Sequence, residues 1–171
     1  LPWRVGGDAL AELDIAGILR ALSDGEVDFF LIGGVAVGYH GHVRATKDVD
    51  VVPAPEMTNL ERLADALARL DAQVDGAEEF SPAELPDPLD PEALATGGNW
   101  VLKTRLGRLD IMQWIGDHPL WEEMSTGAID DEIAGIRMKI VDYDNLVRLK
   151  ELAGRPEDLA DLQRLREARG E

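Results

Sequence analysis

The stretch from Asp28 to Pro53 constrains this chain more than any other. Phe29 to Ile32 is an apolar run of strand length. Gly33-Gly34 ends it, and Val35 to His40 has the composition to open a helix. Glycines at such a junction let backbone N–H groups approach a ligand with no Cβ in the way. A helix N-terminus behind them favours an anion. Arg44, Thr46 and Lys47 follow, and a second strand then carries Asp48 and Asp50. Strand side chains alternate, so both carboxylates share one face while Val49 and Val51 point the other way, into a core. Two carboxylates on a rigid strand beside a phosphate cradle form a site for hard divalent cations such as Mg²⁺.

Length and charge narrow the rest. The 171 residues suffice for one domain, and a 45% hydrophobic content supports a real core. With no cysteine there is no disulfide frame and no thiolate metal site. No apolar run approaches a membrane span and no signal peptide is visible, so a cytoplasmic protein is expected. Leu1 is not a start methionine. The net charge of -17 opposes bulk nucleic-acid binding. It suits a cationic small substrate or a basic protein partner, or it serves solubility alone.

Along the chain, Asp8 to Leu22 has the apolar spacing of an amphipathic helix with Asp8 near its N-cap. Met57 to Leu70 carries Leu60, Leu63, Leu67 and Leu70 on one helical face. The strand–helix–strand–helix order is that of an α/β layer arrangement. Residues 75–98 form a long loop with four prolines and many acids, interrupted by a short helix at Glu92 to Ala95. It is either a lid or, as we prefer, a solvated insertion. Trp100 to Thr104 and Leu109 to Ile115 read as a hairpin turning at Gly107. Asp110 lies in the apolar second strand, where a charge is costly unless paired or metal-bound. Its partner is a cation shared with Asp48 and Asp50, or else Arg108 or Arg105. His118 belongs to a turn before a short helix. Strands are expected at Ile129 to Ile133 and Ile136 to Val141, and helices at Asp144 to Ala153 and from Pro156 to about Ala168.

Taken singly these signals are weak: Asp-x-Asp recurs at Asp142 and Asp144, and the glycine pair fits neither the dinucleotide nor the P-loop pattern. The ordered set is specific. Gly33-Gly34 followed by Arg44-x-Thr46-x-Asp48-x-Asp50-Val-Val resembles the signature of the nucleotidyltransferase superfamily, the DNA polymerase β-like fold. Arg108-Leu-Asp110-Ile-Met resembles that family's third-carboxylate strand. The run from Lys150 through Arg155 and Asp158 to Asp161 resembles the C-terminal helices of small bacterial members, among them AbiEii/MenT-type toxins.

The resemblance implies an α/β (α+β) fold, a mixed sheet flanked by helices. Residues 1–141 would be the core and 142–171 a C-terminal helical pair packed on it. It implies a Mg²⁺-dependent nucleotidyltransferase using a nucleoside triphosphate (NTP). Asp48, Asp50 and Asp110 would be catalytic and would ligate two Mg²⁺ ions. Gly33, Gly34, Arg44, Lys47 and Lys150 would bind the nucleotide; Lys150 is equally readable as structural, and Arg155 reads by preference as structural, paired with Asp158 or Asp161 to brace the helix pair. The acceptor would be a tRNA end or a protein, with a cognate antitoxin as partner, or else a small cationic antibiotic. A non-catalytic module keeping the same fold is the third possibility.

Overall fold

The computed structural model describes residues 12–171. Its centre is a seven-stranded mixed sheet in the order β3-β4-β5-β2-β1-β9-β8. The strands are β1 (Phe29–Ile32), β2 (Asp48–Pro53), β3 (Gln73–Val74), β4 (Trp100–Thr104), β5 (Gly107–Ile111), β8 (Ile129–Ile133) and β9 (Ile136–Ile140). Two short strands, β6 (Trp114–Ile115) and β7 (His118–Pro119), form a separate hairpin. The helices are α1 (Ile15–Asp24), α2 (Gly33–Tyr39), α3 (Met57–Arg69), α4 (Pro91–Ala95), α5 (Leu120–Met124), α6 (Tyr143–Ala153) and α7 (Pro156–Arg169). No helix among the described residues is long and apolar enough to cross a membrane.

The middle strand, β2, runs antiparallel to β1 and parallel to β5. Its alternation is clean. Val49 and Val51 are fully buried, as are their register partners Leu109 and Ile111 on β5. Asp48 and Asp50 take the other face. The leucine stripe of α3 (Leu60, Leu63, Leu67, with Leu70 just beyond) is wholly buried, as its period predicts. Each such side chain contributes about 1.5–3 kcal/mol relative to exposure. Phe30 of β1 stacks on Trp121 of α5 with ring centroids 5.7 Å apart.

Four local expectations change. The N-terminal helix starts at Ile15, with Asp14 as N-cap accepting from the Gly17 N–H. Asp14 also donates its N–H to the Leu106 carbonyl, so Glu12 to Asp14 stand outside the helix, and Leu13 packs over Gly107. The Asp8 end of the expected helix lies outside the described residues. Secondly, α2 begins at the glycines themselves. Thirdly, the strand expected over residues 109–115 breaks after Ile111. The Asn99 side chain there accepts the N–H groups of Gln113 and Trp114 in place of a strand partner. Finally, His118 lies in β7, hydrogen-bonded to Glu123.

Asn59 is a structural residue that periodicity does not reveal. It is buried on α3 and joins β1 to the end of β2. Its amide donates to the carbonyls of Asp28 and Ala54 at 2.8 and 2.9 Å and accepts the Asp28 N–H at 2.7 Å. Asn59→Ala leaves these backbone groups without their partner, so it should lower stability by about 3 kcal/mol. Urea unfolding checks this; a loss below about 1 kcal/mol would mean that water replaces the amide.

Candidate active site

The parallel register of β2 and β5 builds the site. Asp50 pairs with Asp110 across the two strands and with Ile32 of β1 on its other side. Residues in register share a face of the sheet, so Asp110 joins Asp48 and Asp50. One carboxylate oxygen from each lies within 4.8 Å of the others. Burial, the Asp48 and Asp110 charges and a hydrogen bond with Asp48 push the Asp50 carboxyl up to about 8. Burial first, then Asp48, raises Asp110 to about 6. Asp110 Oδ1 is sealed from solvent and has no hydrogen-bond partner. Among the described residues none forms an ion pair with it. Arg108 pairs instead with Asp75 at 3.7 Å, and Arg105 donates to the Arg69 carbonyl.

Three converging carboxylates with an orphaned buried oxygen fit a hard divalent cation, whose ligands are oxygens. A cation would relieve the repulsion that raises both pKa values.

Gly33 and Gly34 close the site from β1. Gly33 has φ +71, and a Cβ there would stand 2.0 Å from Asp50 Oδ2. A Cβ on Gly34 would stand 2.6 Å from Thr46 Oγ1 and 3.3 Å from Arg44 Nη1. Thr46 itself donates to the Asp48 carbonyl, ordering the turn into β2. Both glycines are therefore demanded by close approach, and Gly33 by its left-handed backbone as well. Gly33→Ala should cost about 1–2 kcal/mol for backbone conformation alone and drive Asp50 aside. Thermal shift with Mn²⁺ reads the second effect: the stabilisation by metal should disappear. A variant still stabilised like wild type would show that the carboxylates tolerate the displacement.

The cations are held by acids from α7. Arg44 Nε and Nη2 grip Asp161 in a two-pronged pair at 2.8 and 2.9 Å, and Nη1 lies 3.4 Å from Glu157. Lys150, 7% exposed, meets Asp158 at 3.1 Å and Asp161 at 2.9 Å. Arg155 Nε reaches Asp158 at 2.9 Å. Burial alone would raise the carboxyls of Asp158 and Asp161. Their hydrogen bonds, to Arg155 and Lys150 and to Arg44 and Lys150 respectively, outweigh it and hold both below the usual range. Arg44, Lys150 and Arg155 thus line the cavity already oriented. Lys47 lines it as an exposed residue. His40 lies outside this set; its Nε2 bonds to the Val141 carbonyl at 2.7 Å.

The cavity, about 550 Å³, joins the glycines, the carboxylates and these cations to Asn99, Met112 and Trp114. Sequence patterns do not reveal the Asp161–Arg44 pair or the Asn99–Trp114 contact. The first joins residues 117 positions apart. For Asn99 the signal is faint: a lone amide after Gly97-Gly98.

No family model and no curated protein sequence matches the chain. Solved structures do. The solution structure of the antibiotic-resistance factor ANT(2'')-Ia aligns with TM-score 0.57 at 17% identity, covering 90% of this chain and 81% of that one. The crystal structure of ANT(2'')-Ia in complex with adenylyl-2''-tobramycin gives TM-score 0.57 at 16% identity, covering 90% and 86%. A Thermotoga maritima protein described as a nucleotidyltransferase gives TM-score 0.54 at 14% identity, covering 88% of each chain. The chain therefore has the nucleotidyltransferase fold. The likeness is one of fold and does not single out AbiEii/MenT-type toxins.

Proposed function

We propose that this chain is a divalent-metal-dependent nucleotidyltransferase that moves a nucleoside monophosphate from an NTP to an acceptor hydroxyl. The observation that carries the reading is the convergence of Asp48, Asp50 and Asp110 beside the Gly33-Gly34 approach.

Asp48, Asp50 and Asp110 would hold Mg²⁺, which when bound neutralises phosphate charge and favours the attacking and leaving oxygens. Gly33 and Gly34 leave room for phosphate oxygens against the backbone. Arg44, Lys150 and Arg155 are oriented by Asp158 and Asp161, so little reorganisation is needed when an anion arrives. Lys47 adds charge at the rim. In the reaction the acceptor oxygen bonds to the α-phosphorus, the bond to the β-phosphate bridge oxygen breaks, and pyrophosphate leaves. The hydroxyl proton passes to the Asp110 carboxylate, which lines the cavity. Positioning and charge supply most of such catalysis.

Two acceptors are consistent with the site. The toxin-like C-terminal pattern favours a tRNA end or a protein, with a cognate antitoxin. The adenylyl-2''-tobramycin bound by ANT(2'')-Ia and the net charge of -17 favour a small cationic hydroxyl compound. Incubation with each α-labelled NTP, Mg²⁺ and cell extract, with an aminoglycoside added in parallel, separates them. Label should appear on RNA, protein or the small molecule, and EDTA should prevent it. Absence of label from all three would refute the transferase reading.

A further inference from the structure

We propose that Trp114 is the platform on which the base of the donor nucleotide stacks, an inference that rests on the nucleotidyl-transfer reading. The order of strands gives the site a direction. Across neighbouring β1, β2 and β5 stand Ile32, with Gly33 directly after it, then Asp50, then Asp110. Adjacent strands lie about 4.8 Å apart, so this line is about 10 Å long. At the β1 end, the glycines and Arg44 offer a place for phosphates, and Lys150 and Arg155 are tied to Arg44 through Asp161 and Asp158. At the β5 end the chain continues through Met112, whose N–H donates to the Val51 carbonyl, to Trp114. There the cavity is lined by Asn99, Met112, Trp114, Ile115 and Gly116, none of them charged. A nucleoside triphosphate has the same polarity: anionic at one end, flat and uncharged at the other.

Trp114 is built to be a surface. It is 41% exposed, a poor use of an indole for folding. Yet its backbone is held on both sides by one side chain. Asn99 Oδ1 accepts the Trp114 N–H at 3.1 Å, and Asn99 Nδ2 donates to the Trp114 carbonyl at 2.8 Å. Beneath it Gly97, with φ +79, leaves space that a Cβ would fill, 2.8 Å from Trp114 Nε1. A rigid aromatic has few torsions to freeze, so it offers contact area at little entropic cost. Stacking on an indole accepts any base, because every base has a π-face. Trp114 should thus strengthen binding of all four NTPs without choosing among them.

Calorimetric titration with Mg²⁺ tests this, using ATP and inorganic tripolyphosphate against wild type, Trp114→Ala and Trp114→Phe. Tripolyphosphate carries the phosphates without the ring. Trp114→Ala should bind ATP about 10- to 100-fold more weakly and tripolyphosphate as wild type does. Trp114→Phe, which keeps an aromatic face, should recover most of the ATP affinity, and GTP, CTP and UTP should follow ATP. If wild type binds both ligands and Trp114→Ala binds ATP equally well, the platform is disproved while the transferase reading stands. An equal loss for both ligands would mark Trp114 as structural and also overturn the inference. If wild type binds neither ligand, the transferase reading fails and the platform with it.

Discussion

Asp110→Asn is expected to reduce nucleotidyl transfer by more than about a thousandfold while leaving the fold intact. Removing a single oxyanion donor from an enzyme costs about 10²–10³ in rate, and under the proposed function one substitution would remove a cation ligand and the proton acceptor together. The structure also predicts what happens to stability. Asp110 makes no ion pair with a described residue, and a carboxylate oxygen of Asp48 and of Asp50 lies within 4.8 Å of its own. A neutral amide of the same shape removes repulsion among three clustered anions. Without metal, the melting temperature of Asp110→Asn should equal or exceed that of wild type. The opposite pair of results, a less stable protein that keeps its activity, would place Asp110 in a salt bridge with Arg108 or Arg105 and dismantle the carboxylate site. A transfer assay beside melting curves in EDTA gives both readings on one preparation.

What can be read from the chain follows the range of the interactions involved. Phe29 to Ile32, Gly33-Gly34 and Asp48-x-Asp50 are local patterns, and a period of two places both aspartates on one face without knowledge of a neighbour. The apolar setting of Asp110 is legible for the same reason. Its meeting with Asp50 does not follow from periodicity, because it depends on the parallel register of β2 with β5. The strands β4 and β5 form a simple hairpin, and nothing local says which of them lies beside β2. The resemblance to nucleotidyltransferases supplies that neighbour. The α7 acids show the same limit. Asp158 and Asp161 at helical spacing read as a brace for Arg155. That Asp161 reaches back to Arg44 and Lys150 emerges only once α7 lies against the basic loop. Asp14 escapes a sequence reading for another reason: a run of leucines and isoleucines from Leu10 onward suggests one continuous helix. A hydrogen bond from Asp14 N–H to Leu106 O ties the residue before Ile15 to the β4–β5 turn instead of to a preceding helical turn.

Asp50→Asn should remove the larger part of a pH dependence of stability that the metal-free wild type shows between about pH 4 and 8. The folded Asp50 carboxyl sits at about 8, against 3.8 ordinarily, chiefly because it is buried and then because Asp48 and Asp110 face it. Its folded pKa is raised, so the folded state binds its proton more tightly than the unfolded chain does. The resulting stability is fully present below the unfolded pKa. It is lost as pH rises through the folded one. Every tenfold gain in proton affinity is worth about 1.4 kcal/mol, so the whole contribution is on the order of a few kcal/mol. For a chain of this size that is about 5–10 °C in melting temperature. Asp158 and Asp161 have lowered pKa values, so their contribution is lost only at pH below about 4, while Asp110, raised to about 6, adds a dependence of the same sign between about pH 4 and 6 that wild type and variant share and that their difference largely cancels. In EDTA, the melting temperature of wild type minus that of Asp50→Asn should therefore fall by this amount from pH 5 to pH 8. Millimolar Mg²⁺ or Mn²⁺ binds the ionised carboxylates of the folded state and stabilises it by mass action. The metal-induced rise in melting temperature should be larger at pH 8 than at pH 5 and small in Asp50→Asn. A wild-type-minus-variant difference that stays flat with pH, together with an equal metal response in both proteins, would mean that Asp50 is neither strained by its neighbours nor a ligand. The three carboxylates would then be an acidic cluster and nothing more.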